Sequence, residues 1–254
     1  MDLISKEKTY EIIEICLLAG RIMLKNGAET YRVEDTMTRI ATAYGAEYSD
    51  SFVTPTGIIF SVEGKEPTKT KLIRIIERTT NLEKVVKVND ISRKISAGGL
   101  TIAQAYYLLN EIENESKTYS DFMQVMAAAI ASGCFLIMFE GVWGDFLPAV
   151  VAGGIGFLCS VYLHRLVEIK FFAEFLAAFV IGLIAFTAVR FGIGTEVDKI
   201  IIGSVMPLVP GLLITNAVRD LMAGHLVSGI SKGAEAFLTA FAIGSGIAVL
   251  FVLL

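Results

Sequence analysis

The sequence predicts a membrane α-helical bundle of five transmembrane helices with an N-terminal cytoplasmic α+β domain. Three observations carry this expectation. Charge is unevenly divided: 34 of residues 1–121 are Asp, Glu, Lys or Arg, against 14 of residues 122–254, a proportion far too low for a soluble domain. The second half holds five runs of 18 or 19 residues, at about 122–139, 146–163, 171–189, 200–218 and 236–254, of which only the third contains a charge. Each run is near the ~20 residues that cross ~30 Å of hydrocarbon. The first half switches between helical and alternating apolar periodicity, the pattern of a mixed fold. The expected domains are therefore 1–120 and 121–254. The composition excludes a disordered chain and a secreted disulfide scaffold. A net charge of −4 with no strongly basic half gives no basis for a nucleic-acid partner.

The first helix is expected from about Thr9 to Lys25, with Ile12, Ile13, Cys16, Leu17 and Met23 on its apolar side. Asn26-Gly27 stops it. Thr30 is placed to cap a second helix whose early turns carry Glu34 and Asp35, suited to the helix dipole. Val33, Met37, Ile40, Ala41 and Tyr44 form its inner face and Gly45 ends it. Alternating runs at 47–53 and 57–62 flank the turn-rich Thr54-Pro55-Thr56-Gly57, which predicts a β-hairpin, and 71–78 adds a strand. Residues 81–96 and 101–115 read as helices separated by Gly98-Gly99, and 114–120 as a polar link. Cys16, Cys134 and Cys159 lack metal-ligand spacing and read as packing residues.

The N-terminus has no export signal, so the first domain is expected to stay on the synthesis side of the membrane. Loops on that side then carry Arg165, Lys170, Arg219 and Lys232 against Arg190 and Lys199 outside, in the direction of the positive-inside bias. Five spans put the C-terminus outside. An odd number of spans fits poorly with a transporter built from matched repeats.

The fourth run is the most informative. Pro207, Pro210 and Gly211 in its middle each weaken a helix. The run either kinks there or unwinds into the broken helix that holds ions or substrates in transporters. Asn216, Arg219 and Asp220 share one helical face beyond the break. Arg219 and Asp220 read as interfacial anchors, an ion pair or a gate, with Arg219 able to receive a carboxylate. Glu174, near the start of the third run, either reaches the headgroups or couples a proton, a role also open to Asp220. His164 and His225 fall in loops. Glu29, Arg32, Glu34 and Asp35 cluster near a helix start, as a solvated face or a contact patch. No nucleophile–base constellation, phosphate loop or metal cluster is present, so neither catalysis nor a cofactor is expected.

Two segments carry a family resemblance. GAETYRVEDTMTRIATAYG (27–45), with the hairpin turn Thr54–Gly57 after it, and PLVPGLLITNAVRDLMAGHLVSGISKG (207–233) resemble the signatures of the bacterial threonine/serine exporter family. The first includes Gly27, Glu29, Thr30, Arg32 and Glu34, and is followed by Thr54 and Thr56. The second includes Asn216, Arg219, Asp220, Ser228 and Gly229. His225 departs from the family pattern, where an acid is common. The resemblance implies the longer part of a split exporter: a soluble domain plus five spans, completed by a small membrane partner of four or five spans. That division accounts for the odd span number. The implied cargo is threonine and serine or a dicarboxylate such as succinate, and the absence of an ATP motif makes proton motive force the expected driver. The competing expectation is a membrane-anchored sensor or assembly subunit whose first domain binds a ligand or partner.

Overall fold

The computed structural model describes residues 6–63, 68–115, 119–167 and 170–253. The chain forms two compact units: residues 1–116 with 212–234, and 117–211 with 235–254. Residues 212–234, which hydropathy assigns to the fourth span and the loop after it, thus pack with the N-terminal elements.

In the first unit, α1 (Lys6–Lys25) is buried on nearly every side, with Ile12, Ile15, Cys16, Ala19, Ile22 and Met23 in the core. It ends as the sequence predicts. Gly27 takes φ +92° and Ala28 N–H closes back on Met23 O, a left-handed cap for which glycine carries no steric penalty. Helix α2 (Thr30–Ala43) packs Val33, Met37, Ile40 and Ala41 inward. Strands β1 (Tyr48–Thr54) and β2 (Gly57–Glu63) form the expected hairpin, joined by Pro55-Thr56 with Thr54 paired to Gly57. The third strand, β3 (Lys69–Arg74), is antiparallel to β2 and stops four residues before the expected 78. Its last residue faces Gly57, where β2 begins, and beyond it only Ile75 N–H still bonds across, to Thr56 O in the turn. The chain instead bonds to the end of α1 through Thr79 N–H on Lys25 O and Asn81 N–H on Asn26 O. Val53, Ile58, Phe60 and Val62 line the inner face of the sheet. Helix α3 (Leu82–Ser96) is capped by Asn81, and α4 (Ile102–Asn114) by Thr101 in a capping box with Gln104.

The second unit is all helical: α5 (Asp121–Met138), α6 (Phe146–Leu166), α7 (Lys170–Arg190) and α8 (Val197–Val205). Its core is built largely of alanines: Ala149, Ala152, Ala177, Ala178 and Ala185, with Leu136, Ile181 and Ile200. Small residues let the helices approach closely. A Cβ on Gly203 of α8 would lie 2.8 Å from the Leu136 backbone nitrogen of α5. The outward faces carry large apolar side chains such as Ile130, Leu147, Val151, Ile155 and Leu183.

The fourth run is not one helix. A single 3₁₀ turn, Met206–Leu208, follows α8, and α9 (Gly211–Met222) starts after Pro210. The two prolines remove the amides a continuous helix would need. Four helices among the described residues are long and apolar enough to cross a membrane. The pair around Pro210 makes a fifth if counted as one span. The protein is thus mostly helical, with four or five candidate membrane-spanning helices.

The expected loop from 219 to 235 is corrected. Gly224 at φ +87° caps α9, and α10 (Leu226–Leu253) begins at once. No proline interrupts 226–253, and the buried Ser228 and Lys232 lie on one face of that helix. Ser228 and Gly229 are therefore helical residues.

Candidate functional site

The two sequence motifs meet inside the first unit, where the α1–α2 corner receives the polar face of α9. Asn216 donates from Nδ2 to Gly27 O at 2.9 Å. One turn on, Arg219 Nη1 donates to Glu29 Oε1 at 2.6 Å. Asp220 accepts from Thr30 N–H and Thr30 Oγ1, each at 2.9 Å. The expected sharing of one face by 216, 219 and 220 is what makes this possible.

This geometry corrects the reading of Thr30 as a cap. Glu29 is the capping residue by position but offers no side-chain bond to the helix, and Thr30 is the first helical residue. Asp220 supplies the acceptor from 190 residues away, placing a carboxylate on the amide end of α2. Glu34 and Asp35 lie beyond the first turn. Asp35 instead pairs with Arg39.

Asp220 is fully buried and forms an ion pair with Lys232 of α10 at 2.7 Å, with Lys232 Nζ also 3.3 Å from Thr30 Oγ1. Arg219 and Asp220 are thus tied to residues of the N-terminal segment. Ser228 Oγ donates to Val53 O at 2.9 Å, while Val53 N–H donates to Glu34 Oε1 at 3.0 Å, so both polar groups of one β1 residue are held by the two motifs. His225 lies between α9 and α10, with Nδ1 3.7 Å from Glu34 Oε2. Gly229 allows close packing of α10 on α9: a Cβ there would meet Leu221 Cγ at 2.6 Å and Ala217 O at 3.0 Å.

The electrostatics of the corner differ by residue. Burial opposes ionisation of Glu29. Its own backbone amide, Arg219 and Arg32 outweigh that and hold its carboxyl below the usual value. Burial pushes the Glu34 carboxyl up, with the Asp220 charge adding to it, against the pull of Val53 N–H and His225. Cys16, deep in the core, is a packing residue whose thiol burial pushes up.

The remaining expected residues lie elsewhere. Thr54 and Thr56 belong to the hairpin turn, where Thr54 Oγ1 bonds Gly57 O at 3.2 Å and Thr56 O accepts Ile75 N–H at 2.9 Å. Pro207 sits in the 3₁₀ turn, Pro210 at the break and Gly211 at the start of α9. Glu174 is buried in α7, 3.7 Å from Nε2 of His164, which is helical and not in a loop. Among the described residues no group of three or more His, Cys, Asp or Glu is placed to hold a metal.

Two residues escaped sequence reasoning. Lys232 passed for a loop base, although its spacing of four from Ser228 was the available signal. Asp145 passed for an exposed acid. It is fully buried and accepts from Thr195 N–H, Thr195 Oγ1 and Glu196 N–H at 2.6, 2.9 and 3.0 Å.

Several helices long and apolar enough to cross a membrane define the class: a polytopic membrane protein. The family model described as "Putative threonine/serine exporter" matches residues 14–254, and the chain belongs to that family. The chain is 22% identical over 235 residues to a "Probable threonine/serine exporter" of Mycobacterium tuberculosis, covering 91% of this chain and 44% of that protein. It is 23% identical to the "Threonine/serine exporter" of Corynebacterium glutamicum, covering 97% and 52% respectively. It is also 23% identical to the "Probable succinate transporter subunit YjjP" of Klebsiella aerogenes, with 95% of this chain and 93% of that protein covered. The chain thus spans about half the length of the threonine/serine exporters and nearly all of the succinate transporter subunit. No solved structure matches it.

Proposed function

We propose that this chain is the larger subunit of a two-chain secondary exporter that moves small carboxylate-bearing metabolites out of the bacterial cell. The cargo is threonine and serine or a dicarboxylate such as succinate. The observation that carries this reading is the likeness, over 93% of its length, to a relative named as a succinate transporter subunit, together with the family match over residues 14–254. A small membrane protein of four or five spans supplies the rest.

In this reading the N-terminal domain, residues 1–120, is cytoplasmic, the membrane domain spans 121–254 and the C-terminus lies outside. The substrate path includes the break at Pro207, Pro210 and Gly211, and Asn216, Arg219 and Asp220 beyond it. Broken helices expose helix ends that hold charged groups near the midplane. Nothing in the sequence resembles an ATP site, and proton motive force drives export, with Glu174 or Asp220 carrying the proton. The Glu174–His164 approach of 3.7 Å supports Glu174 in that role.

The test is efflux of threonine, serine and succinate from cells carrying this chain, a small membrane protein encoded beside it, both or neither. Efflux that needs both chains is expected, with loss in Pro210→Ala and Asn216→Ala variants that still reach the membrane. No efflux of any of the three with both chains present would overturn the reading. Normal efflux with loss only of its regulation when residues 1–115 are deleted would favour a sensor.

A further inference from the structure

We propose that Arg32 and Arg219 form a binding pair for the carboxylate of a small metabolite, held in position by Glu29. This deepens the exporter reading and rests on it for the cargo class. The two arginines come from different elements, α2 and α9, and converge on one carboxylate. Arg219 Nη1 donates to Oε1 at 2.6 Å and Arg32 Nη1 to Oε2 at 3.2 Å. Each oxygen of Glu29 therefore holds one guanidinium. The Glu29 side chain is 8% exposed, whereas those of Arg32 and Arg219 are 39% and 56% exposed. The anchor is inside and the cations reach outward.

Charge and donor arithmetic point to an anion. The cluster of Glu29, Arg32 and Arg219 carries one net positive charge, while Glu34, the next carboxyl of the corner, is engaged by Val53 N–H. Neighbouring Asp220 and Lys232 neutralise each other at 2.7 Å. A guanidinium has five N–H donors in a planar fork. Each arginine spends one on Glu29, and no other side-chain hydrogen bond engages either guanidinium among the described residues. Guanidinium forks with unspent donors are suited to a carboxylate. The amide end of α2 is already taken, because Asp220 accepts from Thr30 N–H, so recognition falls to the arginines. Threonine, serine and succinate all carry the required carboxylate.

The full chain, purified in detergent, is titrated calorimetrically with succinate and, separately, with threonine. Succinamide, which has the shape of succinate without its charge, is the control. Wild type is expected to bind at least one of the two carboxylates and not succinamide. Arg32→Gln and Arg219→Gln should each weaken binding about tenfold or more, the loss of a charge-assisted contact. The double variant should not bind. Both single variants should keep the wild-type circular dichroism spectrum at the temperature of the titration, which separates loss of binding from loss of fold. Equal binding by wild type and the double variant, competition by succinamide, or no binding of either carboxylate by wild type would overturn the pair. Efflux measured in parallel keeps the two readings apart. Cells that still export with the double variant retain the exporter and lose the arginine pair. Cells in which wild type exports nothing lose the exporter, while the titration judges the pair by itself.

Discussion

Two buried aspartates, one in each unit, solve the same local problem in different ways. Asp220 and Asp145 are both 0% exposed, and each accepts both the N–H and the hydroxyl of a single threonine, Thr30 and Thr195 respectively. Each places its carboxylate at the start of a helix, α2 and α8, where unpaired amides and the dipole favour an anion. Asp145 completes its shell with a third neutral donor, Glu196 N–H. No cation pairs with it among the described residues. Asp220 completes its shell with Lys232, itself 4% exposed. Burying that second charge costs desolvation that a neutral donor avoids, and a buried ion pair gains little over an apolar replacement. Stability alone therefore does not account for Lys232. The difference separates a helix cap at Asp145 from a charge junction at Asp220 that binds α2, α9 and α10 to one another.

The largest effect should come from breaking that junction. Asp220→Asn leaves Lys232 buried without its counterion and should cost about 3–5 kcal/mol, read as unfolding of the detergent-solubilised chain by circular dichroism. Replacing both partners, Asp220→Leu with Lys232→Met, should recover most of the loss. A double variant as unstable as Asp220→Asn would break the comparison. Asp145→Asn keeps the shape and one acceptor but turns the other oxygen into a donor facing amides, and should cost about 1–3 kcal/mol. A smaller contrast concerns the threonines. Thr30 is fully buried and its hydroxyl also meets Lys232, whereas Thr195 is exposed. Thr30→Val should cost about 1 kcal/mol and Thr195→Val clearly less, on the same unfolding curves.

The sequence showed one side of each aspartate and hid the other. Local signals were legible: the Asn26-Gly27 stop, the Thr54–Gly57 turn, the helices over 81–96 and 101–115, and the face shared by Asn216, Arg219 and Asp220. All follow from spacing within a few residues. The partners of that face lie about 190 positions earlier, and no periodicity reports a contact at that distance. The same gap explains why 219–235 read as a loop. Charges at 219, 220, 232 and 235 with glycines at 224, 229 and 233 resemble solvated chain only while their buried partners are unknown. Gly224 proves to be a helix stop, Gly229 a close-packing site and Lys232 an interior cation. Asp145 was missed for the opposite reason. It is one of two acids, with Glu140, between two apolar runs, the usual mark of an outer loop, and nothing nearby in sequence announces the Thr195 and Glu196 amides, just before α8, that bond it.

The smallest expected effect tests how the charge junction reaches its neighbours. Glu34 and Glu29 stand five positions apart near the start of α2, and their carboxyls are displaced in opposite directions from an ordinary value of 4.5. Glu34 is raised by burial and by the Asp220 charge, so the folded chain holds its proton more tightly than the unfolded chain. Its contribution to stability is full below the ordinary value and is lost as pH rises through the raised one. Glu29 is lowered, burial being outweighed by its backbone amide and the two arginines. Its contribution is present above the ordinary value and is lost as pH falls through the lowered one. Melting curves from pH 3 to 7 should therefore show Glu29→Gln diverging from wild type below the ordinary value and Glu34→Gln diverging above it, with opposite slopes. Wild type should lose ground to Glu34→Gln as pH rises, since the amide still accepts Val53 N–H without a buried charge, and gain ground on Glu29→Gln. A neutral replacement at Asp220 should shrink the first slope by removing the like charge that helps to raise Glu34. Parallel curves for wild type and Glu34→Gln would show that the influence of Asp220 ends at Thr30 and Lys232, and that the junction is no wider than the cap at Asp145.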